Sequence, residues 1–138
     1  MKKVYIYDTT LRDGAQTEGI AYSLADKIAI AKHLDDFGID FIEGGWPYSN
    51  PKDTELFEHF RKQPLKNAKL VPFGSTAHPS SSSAAKDKNL LSLVAAGTQY
   101  VTIFGKTWDM HVKDVLKISP EDNVKLISES VKFLKKKN

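Results

Sequence analysis

The strongest constraint on the fold is a fourfold alternation of short β-rich runs with amphipathic helical segments. The predicted strands are residues 4–7, 39–43, 69–73 and 100–104, and apolar residues at helical spacing follow each of them. Each connection is short enough for a right-handed crossover to a neighbouring parallel strand. Four such βα units fit two architectures, a small open doubly wound sheet or half of a closed (β/α)8 barrel.

Capping residues predict the helix boundaries. Helix starts are indicated at Ser23 with Asp26, at Asn50-Pro51 and at Ser119-Pro120, and helix ends at Gly38 and near Gly97. Periodicity predicts that each helix buries one apolar stripe. The predicted stripes are Leu24, Ile28, Ala31, Leu34 and Phe37; Leu56, Phe57 and Phe60; Leu90, Leu91 and Val94; and Val124, Ile127, Val131 and Leu134.

The turn after the first strand favours the barrel over the doubly wound sheet. A nucleotide-binding doubly wound fold has a glycine-rich turn there. Residues 8–14 instead read Asp-Thr-Thr-Leu-Arg-Asp-Gly, with charges in place of glycines. A (β/α)8 barrel usually needs about 250 residues, and this chain has 138. We therefore expect residues 1–138 to form one catalytic barrel domain that is incomplete.

Composition excludes several classes of protein. The mean hydropathy is −0.38, and no apolar run approaches the ~18 residues of a membrane-spanning helix. The absence of cysteine excludes disulfides and thiolate chemistry. Residues 1–60 carry a net charge of −5 and residues 61–138 one of +8. We interpret the lysines of the second half as lying on solvated helix faces, and we expect no nucleic-acid or membrane partner. The expected location is the cytoplasm.

Polar side chains cluster where the predicted strands end, which is where barrel enzymes build their sites. The first loop carries Arg12 and Asp13, and the second strand ends in Glu43. A carboxylate such as Asp13 suits a hard or borderline divalent ion, and an adjacent arginine can stabilise an oxyanion or enolate. Because such residues are common in loops, this pattern alone is weak evidence for a function.

Five sequence blocks carry a resemblance to a known family. They are residues 7–19 (YDTTLRDGAQTEG), 42–47 (IEGGWP), 50–53 (NPKD), 73–76 (FGST) and 101–106 (VTIFGK), with ten residues between Gln16 and Lys27. Together they resemble the 2-isopropylmalate, homocitrate and citramalate synthases, with the citramalate branch closest. This family belongs to a barrel superfamily that includes hydroxymethylglutaryl-CoA lyase, and the resemblance covers essentially all 138 residues.

The resemblance implies a divalent-metal-dependent acyltransferase, with Mn, Mg or Zn as the ion. It condenses acetyl-CoA with a 2-oxo acid, here expected to be pyruvate, and releases CoA. The implied pathway is isoleucine or leucine biosynthesis, and the implied assembly of the full-length enzyme is a dimer. Residue by residue, it implies Asp13 as a metal ligand and Arg12 and Glu43 as catalytic residues. The expected substrate-binding residues are Arg12, Gln16, Thr76 and His111.

One expected motif is missing. The family supplies two further metal ligands from a His-x-His pair on a late strand, and no His-x-His occurs in these 138 residues. Uncovered sheet edges of a half-barrel would also favour self-association. An alternative therefore stays open at this point, namely a non-catalytic half-barrel that acts as an assembly partner or small-molecule binder.

Overall fold

A computed structural model describes residues 2–137 as four βα units in sequence. The elements, in chain order, are β1 (Tyr7–Asp8), α1 (Leu24–Phe37), β2 (Phe41–Gly45), α2 (Pro51–Lys62), β3 (Lys69–Ser75), α3 (Lys88–Ala95), β4 (Thr102–Phe104) and α4 (Pro120–Lys137). Short 3-10 turns lie at Gly14–Gln16 and Ala84–Lys86, and a π-helical segment lies at His111–Leu116. No helix among these residues is long and apolar enough to cross a membrane.

The four strands form one parallel sheet whose spatial order is the chain order, β1-β2-β3-β4. Each helix packs on the convex face. A side chain at Gly44 of β2 would meet Leu56 and Phe57 of α2, and one at Gly74 of β3 would meet Leu93 of α3. Sequential order with helices on one face is half of a (β/α)8 barrel, which confirms the predicted fold class and excludes the doubly wound alternative.

The predicted helix caps are present. Ser23 and Asp26 form a complete capping box in which each side chain accepts a backbone N–H of the other residue. Gly38 ends α1 in the left-handed conformation at φ 93°. Asn50 caps α2, with Pro51 at its first position. The local sequence therefore suffices to define where these helices begin and end.

Two strands are shorter than the sequence predicted. β1 is Tyr7–Asp8 rather than residues 4–7, and β4 is Thr102–Phe104 rather than 100–104. These are the two edge strands, and each hydrogen-bonds to a single neighbour. β2 and β3 instead extend two residues further towards their C-terminal ends than predicted. The π-helical segment was not predicted.

The core consists of two apolar clusters between the sheet and the helices, and four predicted core residues do not belong to it. Phe37, Leu91, Val124 and Val131 are exposed. Beside Phe37, Val124 and Val131, a polar residue of the same helix is buried instead and bonds to the backbone of a nearby loop. Asn123 Nδ2 donates to the Lys106 carbonyl at 2.8 Å, and Ser130 Oγ accepts from the Ala77 N–H at 3.0 Å. A purely apolar stripe was therefore the wrong expectation for α4.

In α1 the buried polar residue is Asp35, and Phe37, two positions later on the helix, faces solvent. The buried Asp35 carboxylate accepts the backbone N–H groups of Lys66 at 2.8 Å, Asn67 at 2.8 Å and Ala68 at 2.6 Å. These three residues lead into β3. The end of α1 therefore holds the start of β3 in place through one charged side chain.

A buried ion pair fixes the turn that follows β2. Lys27 Nζ of α1 contacts Asp53 Oδ1 of α2 and also donates to the Gly44 carbonyl at 3.3 Å. The other Asp53 oxygen accepts the Trp46 N–H at 2.8 Å. At Gly45 the backbone has φ 134°, and a Cβ there would lie 2.3 Å from the Asp53 carboxylate. Only glycine fits this position.

We predict that Lys27→Met lowers the free energy of unfolding by about 3–5 kcal/mol, because it leaves the buried Asp53 charge without its partner. Urea denaturation followed by circular dichroism measures this loss. Lys66→Met is the matched control, since the Lys66–Asp36 pair is 3.7 Å long and exposed on both sides. It should change stability by about 1 kcal/mol or less. Equal effects of the two variants would contradict this assignment.

We predict that Asp35 makes stability acid-dependent. Burial by itself raises the pKa of the Asp35 carboxyl, but the N–H groups of Ala68, Lys66 and Asn67 outweigh it and hold the pKa below its ordinary value. The unfolded chain therefore binds this proton more readily, and stability present above about pH 5 is lost as pH falls through the folded-state pKa.

The test compares Asp35→Asn with the wild type. The variant should lose about 1–3 kcal/mol at pH 7, because its amide NH2 replaces one acceptor oxygen. It should also lose less stability than the wild type between pH 6 and pH 3. Asp36→Asn changes the exposed neighbouring carboxylate and should follow the wild-type curve. Parallel curves for Asp35→Asn and the wild type would refute the prediction.

Candidate active site

The turn after β1 directs Arg12 towards the C-terminal edge of the sheet. The Thr9 carbonyl accepts the N–H groups of Arg12 at 3.1 Å and Asp13 at 2.8 Å, which winds the chain into a tight turn. Leu11 lies fully buried in the core beneath this turn. With Leu11 buried in the core, the Arg12 side chain lies half-buried above the sheet and the Asp13 side chain lies in solvent.

The guanidinium of Arg12 is held on three sides. Its Nε donates to Glu43 Oε2 at 2.5 Å, and its Nη1 donates to Asp13 Oδ1 at 2.8 Å. Its plane lies over the Phe73 ring, with Cζ 4.1 Å from the ring centroid. Charge-assisted hydrogen bonds and a cation–π contact are the strongest contacts that a guanidinium makes with protein side chains. Among the residues that the structure describes, none accepts a hydrogen bond from Nη2.

Glu43 is the buried charge at the centre of the site. It is 1% exposed, and both of its oxygens are engaged. Oε2 accepts from Arg12, and Oε1 accepts from Tyr7 Oη at 2.8 Å. A buried carboxylate is costly unless it is paired and hydrogen-bonded. With both oxygens engaged, Glu43 is arranged to orient Arg12.

Tyr7 supplies the second bond to Glu43. Its hydroxyl lies 2.6 Å from Thr102 Oγ1 as well as 2.8 Å from Glu43 Oε1. Burial raises the pKa of Tyr7 well above its ordinary value, and the neighbouring Glu43 charge raises it further against the lowering contact with Thr102. Tyr7 therefore stays protonated at neutral pH and acts as a hydrogen-bond donor.

The platform under Arg12 is itself supported by neighbouring elements. The Trp46 ring meets Phe73 edge-on, with centroids 5.8 Å apart. Trp46 Nε1 donates to Asn89 Oδ1 at 2.8 Å, and Asn89 Nδ2 donates to the Ser75 carbonyl at 2.6 Å. This chain of contacts connects α3 and the end of β2 to the residue that stacks beneath Arg12. Trp46 therefore packs between β3 and α3.

Asp13 is the one candidate metal ligand among the expected site residues. Its side chain is 62% exposed, and one oxygen lies against Arg12. Within residues 2–137, no three His, Cys, Asp or Glu side chains are grouped so that they could hold a metal ion. A catalytic site normally takes about three protein ligands. The described part of the chain therefore does not make a metal site by itself, and Asp13 can contribute at most one ligand.

The remaining expected substrate-binding residues lie at different places around the site. Gln16 and Arg12 both line a cleft of about 330 Å³ that also includes Trp46 and Lys52. Thr76 is buried after β3, where its N–H donates to the Phe104 carbonyl at 3.0 Å. His111 lies on the π-helical segment, with its ring 4.7 Å from that of Trp108. Of the three, the structure brings only Gln16 to the same cleft as Arg12.

Sequence reasoning missed three residues that contact this centre. Tyr7, Phe73 and Thr102 all point to the concave face of the sheet and surround Arg12 and Glu43. The sequence contained a partial signal for them, because side chains alternate along a strand and every second residue of each predicted strand therefore faces the same side of the sheet. The register that pairs Phe73 with Thr102 also places these residues side by side. Register, however, is known only once the strands are paired.

The arrangement can stabilise a negatively charged oxygen. A guanidinium fixed at the C-terminal edge of a parallel sheet, with one amino group unoccupied, is a preorganised donor for a carboxylate or for a developing oxyanion. The cleft beside it is open to small molecules. Such a site suits chemistry in which an acid substrate or an enolate is bound by an arginine.

Comparison with known proteins identifies the family of the chain. The HMGL-like family profile matches residues 3–138. The chain is 56% identical over 135 residues to an (R)-citramalate synthase of Aquifex aeolicus and 51% identical over 134 residues to an (R)-citramalate synthase of Sulfolobus acidocaldarius. These matches cover 98% and 97% of this chain. A 2-isopropylmalate synthase of Lysinibacillus sphaericus is 35% identical over 136 residues.

Solved structures agree with the fold. A hydroxymethylglutaryl-CoA lyase of Pseudomonas aeruginosa superimposes with a TM-score of 0.69 at 21% identity, over 98% of this chain and 43% of that one. The Bacillus subtilis HMG-CoA lyase superimposes with a TM-score of 0.71 at 18% identity. The chain spans about a quarter of the length of the citramalate synthases that it matches. By the family profile and by these relatives, the chain belongs to the HMGL-like family.

Proposed function

We propose that this chain is the first half of the catalytic barrel of a synthase that condenses acetyl-CoA with a 2-oxo acid. Pyruvate is the proposed acceptor, which makes citramalate and CoA the products. The observation that carries the proposal is the guanidinium of Arg12, held by Glu43, Asp13 and Phe73 at the C-terminal edge of the sheet. The 56% identity to an (R)-citramalate synthase supports the choice of pyruvate.

Arg12 has the charge and geometry for two tasks in this reaction. In the first, its unoccupied amino group receives an oxygen of the 2-oxo acid and orients the keto carbon. In the second, it offsets the negative charge of the acetyl-CoA enolate while the new carbon–carbon bond forms. The acetyl-CoA methyl group loses a proton to give the enolate, and the enolate carbon attacks the keto carbon. The keto oxygen becomes an alkoxide and takes up a proton, so the addition consumes no net proton. Water subsequently cleaves the thioester and releases CoA.

Glu43 acts through Arg12 in this scheme. Its buried carboxylate accepts from Nε and so limits the rotation of the guanidinium, which belongs to a residue that lines the cleft. Gln16 lines the same cleft and can donate to or accept from a bound oxo acid. Thr76 and His111 follow the ends of β3 and β4, and we retain them as proposed residues of the wider acyl-CoA site.

Metal dependence belongs to the proposal through Asp13 alone. A divalent ion would polarise the keto group, and Asp13 would supply one carboxylate to it. Since the described residues offer no second and third ligand beside Asp13, we derive no step of the reaction through the ion. The proposed setting is isoleucine biosynthesis in the cytoplasm, carried out by a dimer of the intact protein.

We predict that Arg12→Lys lowers kcat/KM for CoA release from acetyl-CoA and pyruvate by about 10²–10³-fold in the intact protein. Lysine keeps the charge but cannot contact Glu43 and a substrate oxygen at once. The readout is thiol release measured with a chromogenic reagent, with 2-oxoisovalerate and 2-oxoglutarate as alternative acceptors. Arg61→Lys is the control, since Arg61 donates to the Ala95 and Ala96 carbonyls at the end of α3. A fully active Arg12→Lys variant would refute the proposal.

We predict that Asp13→Asn weakens Mn²⁺ binding to the intact protein by about tenfold or more, because a neutral amide is a poorer ligand for a hard cation. Calorimetric titration measures the affinity without any need for turnover. Asp36→Asn removes an exposed carboxylate from the outer surface of α1 and should leave the affinity unchanged. Undiminished Mn²⁺ affinity in Asp13→Asn would remove Asp13 from the ligand set.

A further inference from the structure

Tyr7 and Thr102 connect the two edges of the sheet across its concave face. Tyr7 belongs to β1 and Thr102 to β4, and these strands share no backbone pairing, because β1 pairs with β2 and β4 with β3. Their hydroxyl oxygens are nevertheless 2.6 Å apart, although the residues are 95 positions apart in sequence. A hydrogen bond between side chains therefore spans the width of the half-barrel.

This bond leads directly to the charged centre. Tyr7 Oη has a single proton, and it donates that proton to Glu43 Oε1 at 2.8 Å. Thr102 must then be the donor in its contact with Tyr7. The result is a directed series in which Thr102 donates to Tyr7, Tyr7 donates to Glu43, and Glu43 accepts from Arg12 at its other oxygen. Consecutive donors of this kind polarise and strengthen one another.

An aromatic layer lies directly below this polar one. The Phe41 ring contacts Tyr5 with centroids 6.0 Å apart and Tyr100 at 5.1 Å. Tyr5, Phe41 and Tyr100 each precede a member of the polar layer by two residues, the spacing at which side chains of an extended chain share a face. This layer supports the polar one through ring contacts. It also provides a tyrosine that differs from Tyr7 in having no bond to Glu43.

We propose that Tyr7 is a positioning residue, whose hydroxyl joins β1 to β4 through Thr102 and fixes the Glu43 carboxylate that orients Arg12. The curl of the sheet and the orientation of the guanidinium are then set by the same hydroxyl group. Without it, Glu43 Oε1 is buried without a partner, and the carboxylate is free to turn away from Arg12 Nε. The kinetic part of this inference rests on the proposed synthase function, and the structural part does not.

The test replaces Tyr7 by Phe, which keeps the ring and removes the hydroxyl. The first readout is the Nε–H signal of Arg12 in a ¹⁵N-arginine NMR spectrum of the folded protein, assigned by its loss in Arg12→Lys. We expect exchange of this proton with solvent to accelerate by about tenfold in Tyr7→Phe, as the loss of one hydrogen bond to a buried charge implies. Tyr5→Phe is the matched control and should leave the exchange rate unchanged.

Thr102 provides a second pair of variants with little effect on packing. Thr102→Ser keeps the donor and should retain the wild-type exchange rate, whereas Thr102→Val removes it and should shift the rate towards that of Tyr7→Phe. Unchanged exchange in both Tyr7→Phe and Thr102→Val would overturn the proposal, and the second variant decides the matter if the first does not fold. An equal effect of Tyr5→Phe would also overturn it, since the hydroxyl at Tyr7 would then have no special part.

The second readout is kinetic and uses the intact protein. Tyr7→Phe should lower kcat for pyruvate-dependent CoA release by about tenfold while the KM for acetyl-CoA stays within about twofold. A purely structural loss would reduce the amount of folded enzyme and leave the exchange rate of the folded fraction unaltered. If the wild-type protein releases no CoA with any 2-oxo acid, the proposed function fails, and the NMR comparison still decides whether Tyr7 positions Arg12.

Discussion

Glu43 is a carboxylate buried in the middle of a parallel sheet, and the arrangement of the site follows from the compensation of its charge. Removing a carboxylate from water is unfavourable unless each oxygen finds a strong donor. Here one donor comes from the loop after β1 and the other from β1 itself. The Arg12 side chain consequently lies over the sheet. Its neighbour Leu11 is fully buried in the core, and its other neighbour, Asp13, is exposed. The hydrogen bonds from Arg12 and Tyr7 offset the cost of burying the glutamate, and as a consequence the arginine is immobilised.

A second buried charge pair, Lys27 and Asp53, holds the backbone at the end of β2. Lys27 and Asp53 lie on different helices. Lys27 donates to the Gly44 carbonyl near the end of β2, and Asp53 accepts the N–H of Trp46, which follows that strand. The indole of Trp46 then packs against Phe73, which stacks under Arg12. Contacts therefore run without a gap from the outer helices to the guanidinium. Lys27, which belongs to the same group of sequence blocks as Arg12 and Asp13, also lines the cleft beside Arg12.

The helices share a feature that hydrophobic periodicity does not reveal. Each buries at least one polar residue that holds part of a loop or turn, and these are Lys27 and Asp35 in α1, Asp53 in α2, Asn89 in α3, and Asn123 and Ser130 in α4. Such residues take inward positions that a search for apolar stripes assigns to others. For this reason Phe37 and Val124 were expected in the core and lie on the surface. Conversely, caps depend on contacts within a few residues, and Ser23, Gly38 and Asn50 were predicted correctly.

The sequence by itself determined the order of the elements, their caps, the half-barrel architecture and the family. These properties depend on local periodicity and on blocks of residues that lie close together along the chain. Only the tertiary structure decided that Glu43 faces Arg12 rather than solvent, that Phe73 lies beneath the guanidinium, and that Tyr7 bonds to Thr102. The physical reason is register and curl. A hydrogen bond between residues 95 positions apart exists only when parallel pairing and the curvature of four strands bring both hydroxyl groups to the same point.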